Sequence, residues 1–132
     1  MATRRFLTML ALYGAAIAVP VAAQAPGLAM LNELERGAWQ LRDRDGGATR
    51  SICLGDALQL VQLQHSGRTC SRYVIEDTPS SVTVHYSCPG AGYGHTTIRR
   101  ETNRLVQVMT QGVSGGAPFS TSYEVRRTGA CN

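Results

Sequence analysis

The chain has no lysine: its thirteen basic residues are all arginine, set against nine aspartates and glutamates for a formal charge of +4 over 132 residues. Arg4 and Arg5 lie in a leader expected to be removed, which leaves eleven arginines against nine acids. That surplus of two is too small and too dispersed to hold a nucleic acid or an anionic membrane. The all-arginine usage therefore reads as a compositional habit of the source genome. No Cys-x-x-Cys pair occurs among the four cysteines, which removes thioredoxin-like and haem-attachment motifs and the tight ligand spacing of a zinc site. No histidine and no aspartate follows Ser114. No cysteine sits near residues 21–25, so a lipid-anchored lipoprotein is excluded. At this length one domain is expected, with no room for separate substrate and cofactor lobes.

What is present first is an export pattern. Two arginines precede an apolar stretch over residues 6–19, Pro20 interrupts it, and small residues follow at Val21, Ala22, Ala23 and Ala25. This is the pattern of a cleavable secretory signal, residues 1–23, cut after Ala23 because a cut after Ala25 would put Pro26 next to the scissile bond. The rival is an uncleaved anchor, since no charge occurs from Phe6 to Asn32, but Pro20, Gln24, Pro26 and Gly27 break that run. No stable membrane span is expected after cleavage, and the periplasm is the expected location. The spacer usual between twin arginines and the following Phe is missing, so ordinary unfolded export is the expected route.

Cys53, Cys70, Cys88 and Cys131 all lie in the exported part, where an oxidising compartment favours disulfides. A hairpin selects among the three pairings. Residues 70–77 and 80–88 read as strands around Thr78-Pro79-Ser80, and centring the turn on Pro79 places Arg72 opposite Tyr86, Val74 opposite Val84, Glu76 opposite Val82 and Cys70 opposite Cys88. One face of that ribbon then carries Cys70, Val74, Val82, Val84, Tyr86 and Cys88 besides Arg72 and Glu76, and the other is Ser71, Tyr73, Ile75, Ser81, Thr83, His85 and Ser87. The expected bridges are Cys70 to Cys88 and, by remainder, Cys53 to Cys131.

Along the rest of the chain, Leu28, Leu31 and Leu34 mark a short amphipathic helix within residues 24–36, stopping at Gly37. Residues 37–132 form a single disulfide-bonded β domain. Trp39 and Leu41 alternate in a first strand, Asp45-Gly46-Gly47 turns into a second over residues 48–54, and Gly55-Asp56 opens a helical turn carrying Leu58 and Val61. After the disulfide hairpin comes a glycine loop at residues 89–94, then a hairpin of residues 95–101 and 104–111 whose register is poorly specified. Residues 112–118 read as a flexible connection into a last strand that turns Phe119, Thr121, Tyr123 and Val125 to one side. About seven short strands with one or two short helices predict a mainly β fold, either an antiparallel sandwich or a small, partly open barrel.

The chemistry-bearing patterns are weak. Gly112-Val113-Ser114-Gly115-Gly116 matches a nucleophile elbow, but a strand rather than a helix follows it and no triad partner lies downstream. The glycine loop lacks the helix N-terminus and lysine of a phosphate cradle. Asp43 with Asp45, and Glu76 with Asp77, are close enough for acid–base work or cation binding, yet solvated strand ends explain them better. A zinc site of His85, Cys88, Cys70 and His95 competes poorly with disulfides. His65, His85 and His95 raise a phosphodiester-cleaving reading, for which His85 and His95 would have to be neighbours. Arg99, Arg100, Arg104, Arg126 and Arg127 are expected on a solvated face partly paired to Glu101 and Glu124. Trp39, Phe119 and Tyr123 belong to the core, while Tyr93, with His85 and His95, is the candidate recognition set.

Gly37-Ala38-Trp39-Gln40, then Ser51-Ile52-Cys53-Leu54, the central Cys70 and Cys88, and the ending Arg126-Arg127-Thr128-Gly129-Ala130-Cys131 together resemble a small exported proteobacterial domain family of unknown function. The resemblance covers residues 37–131. Ile75-Glu76-Asp77-Thr78-Pro79 and Val84-His85-Tyr86-Ser87-Cys88-Pro89-Gly90 are similar to its sphingomonad-like variant. The resemblance implies a periplasmic, β-rich, disulfide-bearing bacterial protein and carries over no catalytic residue. The Met- or Pro-rich insert frequent after that family's first strand is absent here. The expectation is a non-enzymatic binding or envelope-associated module without cofactor or metal, its partner a small molecule or an envelope protein. The alternatives are an inhibitor of a hydrolase such as lysozyme or a protease, presenting a protruding loop at residues 89–94 or 112–118, and a small secreted hydrolase.

Overall fold

The structure, a computed structural model, describes residue 18 and residues 27–132, so the expected signal segment falls outside the described residues. No helix among the described residues is long and apolar enough to cross a membrane. Seven antiparallel strands form one sheet: β1 (Gly37–Asp43), β2 (Arg50–Leu54), β3 (Ser71–Asp77), β4 (Ser81–Cys88), β5 (Gly92–Thr102), β6 (Leu105–Ser114) and β7 (Ala117–Gly129). Their spatial order is β2-β1-β7-β6-β5-β4-β3. Strands β3 to β7 are a meander, and the first hairpin adds to it through β1 against β7. The edges β2 and β3 do not pair with each other, so the sheet is not closed into a barrel.

Alternation writes the two faces. Trp39, Leu41, Val82, Val84, Tyr86, Ile98, Val106, Val108 and Val125 are all fully buried on one face, and the residues between them turn to the other. The buried face is covered by the N-terminal segment and by the link from β2 to β3. Helix α1 is only Ala29–Asn32, shorter than the leucine spacing suggested, yet Leu28, Met30, Leu31 and Leu34 all enter the core. Leu28 starts it in a left-handed conformation, φ 48°, with its N–H donating to Asp77 Oδ2 at 3.2 Å. Arg104 and Arg127 both reach Glu35, at 3.5 and 3.6 Å, holding the end of this segment against the sheet.

The helical turn predicted at Gly55-Asp56 is a 3-10 helix over Ala57–Leu60, capped by the Asp56 carboxylate accepting from Leu58 N–H at 2.9 Å. A second 3-10 turn, Leu63–His65, follows. Leu60, Val61 and Leu63 are buried against the sheet.

Both disulfides pair as the hairpin argument required, Cys70 with Cys88 and Cys53 with Cys131. The first ties edge strand β3 to β4 and the second ties edge strand β2 to the C-terminus, so each free edge of the sheet carries one covalent staple. The hairpin register holds through Val74 and Val84 and then slips at a bulge: Glu76 faces Thr83, and Asp77, not Glu76, faces Val82. The segment 112–118 is not a flexible connection. β6 runs to Ser114, β7 begins at Ala117, and Gly115 and Gly116, at φ 58° and 81°, make the two-residue turn that only positive φ at both positions allows.

Candidate functional site

The sheet face opposite the core is covered by no helix or further strand among the described residues. Arg44, from the turn after β1, reaches one corner of it to donate to Gln107 Oε1 at 3.3 Å. Across the middle runs one row of side chains, each opposite the next: Tyr73 on β3, His85 on β4, His95 on β5, Gln111 on β6 and Ser120 on β7. Beside it Thr83, Thr97, Met109 and Ser122 form a parallel row, with the Thr83 and Thr97 hydroxyls joined at 3.0 Å. On the other side Ser87 faces Tyr93. Four large apolar or aromatic residues are left in solvent on or at the margin of this surface: Tyr73 at 70% exposure, Ile75 at 52%, Met109 at 51% and Tyr93 at 47%. The Tyr93 and His85 rings lie 5.9 Å apart, tilted by 33°.

All three candidate recognition residues therefore share this open face, and His85 and His95 are direct cross-strand partners. Arg99 and Arg126 share this face but lie toward its other end. Arg99 lies four residues along β5 from His95, about 13 Å at strand rise, and its guanidinium meets Glu101 at 3.7 Å. Arg42 and Arg126 both reach Glu124, at 3.2 and 3.9 Å. Arg99 and Arg126 thus pair with Glu101 and Glu124, as expected, whereas Arg100, Arg104 and Arg127 pair with Glu33 and Glu35 of the N-terminal segment.

The remaining patterns have the following surroundings. Ser114 sits at a strand-turn-strand corner with no helix behind it. Asp43 Oδ1 accepts from Asp45 N–H at 2.8 Å and Asp45 Oδ2 from Ser122 N–H at 3.3 Å, so both carboxylates shape the β1–β2 turn. Glu76 and Asp77 point to opposite faces across the bulge, Asp77 toward Leu28. The cysteines of the zinc constellation are oxidised to a disulfide. Both loops assigned to an inhibitor are tight turns between strands. Cys88-Pro89-Gly90-Ala91 is a tight turn closed by Ala91 N–H donating to Cys88 O at 3.0 Å, with Gly90 at φ 76°.

His65, grouped with His85 and His95 in the phosphodiester-cleaving reading, lies apart from them on the covered side of the sheet. It is buried, its Nδ1 2.9 Å from the Tyr86 hydroxyl and its Nε2 3.2 Å from Ala91 O. A carbonyl only accepts, so Nε2 carries the proton and Nδ1 accepts from the phenol. Burial pushes the Tyr86 phenol upward from 10.0, opposed by a hydrogen bond from Thr110. Close by, Thr96 Oγ1 donates to Val61 O at 2.6 Å and meets Thr110 Oγ1 at 2.8 Å. This network pins the 3-10 segment to the sheet. Its trace in the sequence is Gly92-x-Gly94 opposite Gly112: a Cβ on Gly94 would collide with the Tyr86 ring, and one on Gly92 would collide with Val113 O and approach His65 Nε2.

Beneath the opposite end of the covered face, a depression of about 410 Å³ lies between α1 and the first 3-10 turn, lined by Leu28, Leu31, Leu34, Leu54 and Leu58 with Asn32, Arg36 and Asp56. No family model, no curated protein and no solved structure matches the chain.

Proposed function

We propose that the protein is a non-catalytic binding module of an exported, oxidising compartment, the periplasm, and that it takes a small molecule or an envelope protein on the open face of its sheet. The observation that carries this reading is the placement of Tyr73, Tyr93, Ile75 and Met109 in solvent on or beside the one face that the covering elements leave bare. Exposed aromatics beside half-buried imidazoles, an amide and hydroxyls supply apolar contact with fixed hydrogen-bonding groups, the mixture that recognition surfaces use. Two disulfides that staple the sheet edges suit a protein working where thiols oxidise.

The test is native mass spectrometry of the protein isolated from envelope extract, as wild type and as the Tyr73→Ala/Tyr93→Ala variant. The reading expects a small molecule or protein retained by the first and lost by the second. Equal retention by both contradicts the assigned face. Turnover of an ester or phosphodiester that vanished in a Ser114 or His85 variant would replace the reading with a hydrolase.

A further inference from the structure

Of the three histidines in the chain, two are nearest neighbours across adjacent strands on the exposed face. Residues directly opposite in an antiparallel pair have Cβ atoms about 4.5–5.5 Å apart. Two imidazole nitrogens bound cis to one late transition metal, each about 2.0–2.1 Å from it, lie roughly 3 Å from each other. Imidazoles on opposed positions converge to that spacing by rotation about their side-chain torsions, without backbone movement. His65 has both ring nitrogens engaged by protein. His85 and His95, by contrast, make no side-chain hydrogen bond to another protein group among the described residues and are half-buried rather than enclosed, so their nitrogens are available to a ligand.

The neighbours set the class of ion. Along the same row Gln111 follows His95 and Tyr73 follows His85, adding a neutral amide oxygen and a phenol. No carboxylate stands in that row, which disfavours calcium and magnesium. All four cysteine sulfurs are in disulfides, which removes the thiolates that a closed zinc site would use. No group of three or more His, Cys, Asp or Glu converges among the described residues, so the site is an open, exchangeable one. Two cis nitrogens with oxygen donors and water suit a tetragonal ion, and copper(II) heads the affinity order for such donors.

We propose that His85 and His95 together chelate one copper(II) ion on the open face, with solvent and the Gln111 amide oxygen completing its coordination. The site does not depend on the macromolecular or small-molecule partner proposed above: copper binding and ligand retention are measured separately, and either can fail alone.

The experiment titrates the purified, disulfide-bonded protein with copper(II) chloride, read by calorimetry and by electron paramagnetic resonance, in wild type, His85→Asn, His95→Asn and the double variant. The expected result is one copper per chain with hyperfine coupling to two imidazole nitrogens. Each single variant should show one such nitrogen and an affinity reduced by at least the roughly 10–100-fold that loss of even an outer-shell partner costs. The double variant should lose the site while circular dichroism shows the sheet intact. A Gln111→His variant, which adds a third imidazole to the row and removes neither histidine, should tighten binding by about tenfold or more, the scale on which ligand and outer-shell changes act. Absence of binding, a signal that persists in the double variant, or an affinity unmoved by Gln111→His overturns the proposal.

Discussion

The imidazole of His65 and the phenol of Tyr86 meet at 2.9 Å between the 3-10 segment and the covered face of the sheet. Both groups are buried, and the other imidazole nitrogen is held by Ala91 O at 3.2 Å. The contact closes the polar network that includes Thr96 and Thr110, so the segment joining the two halves of the chain is seated by directed bonds as well as by Leu60, Val61 and Leu63.

Replacing Tyr86 by Phe leaves the imidazole acceptor buried without its donor. The expected cost is about 1–3 kcal/mol, the penalty for an unsatisfied buried polar group. Urea unfolding of Tyr86→Phe against wild type measures it, and an unchanged midpoint would show the bond to be dispensable.

The same phenol gives a pH dependence. Burial raises the Tyr86 titration in the folded state, the Thr110 hydrogen bond opposing it, from an ordinary 10.0. Between the unfolded and folded titration points the native chain holds the proton that the unfolded chain has lost, so stability falls as pH rises. The contribution is complete below about pH 10 and is lost as pH climbs through the raised folded value. Denaturant midpoints measured from pH 8 upward should fall more steeply for wild type than for Tyr86→Phe.

Gly94→Ala is expected to destabilise by about 1–3 kcal/mol, because the new methyl meets the Tyr86 ring in a filled core. Gly115→Ala has open space around it, and its cost comes from φ 58° alone, on the order of 1 kcal/mol. Thermal unfolding of the pair separates crowding from backbone strain.

The two disulfides should be unequal. Cys53 to Cys131 closes 78 residues and Cys70 to Cys88 closes 18. In the chain-entropy model these contribute about 4.5 and about 3 kcal/mol. Paired Cys→Ser variants should therefore rank in that order by denaturant unfolding, with Cys53→Ser/Cys131→Ser the less stable.

The fold was legible where alternation and covalent geometry act locally. The Cys70–Cys88 bridge follows from a two-residue period run back from one turn, and Trp39, Tyr123 and Val125 declare the covered face by the same rule. The bulge at Ile75 was not legible, because one extra residue leaves no mark when Tyr73, Ile75 and Glu76 can all face solvent. The hairpin at Gly115-Gly116 looked like a linker, since paired glycines serve both uses and only the partner strand distinguishes them. His65 was not legible because its partners Tyr86 and Ala91 are set by long-range packing. Of the recognition set, hairpin parity places only His85; Tyr93 is read from its glycine loop, which the structure absorbs into β5, and His95 from the start of the next strand. Their direct opposition in one row needed the β4–β5 register, which the turn at Pro89-Gly90 fixes.

The most direct test of the account maps amide chemical shifts of the labelled protein on titration with the species it retains from envelope extract. The account predicts changes concentrated at Tyr73, His85, Tyr93, His95 and Gln111 on the open face. Changes centred instead on Leu31, Leu54 and Leu58, around the depression between α1 and the first 3-10 turn, would contradict it.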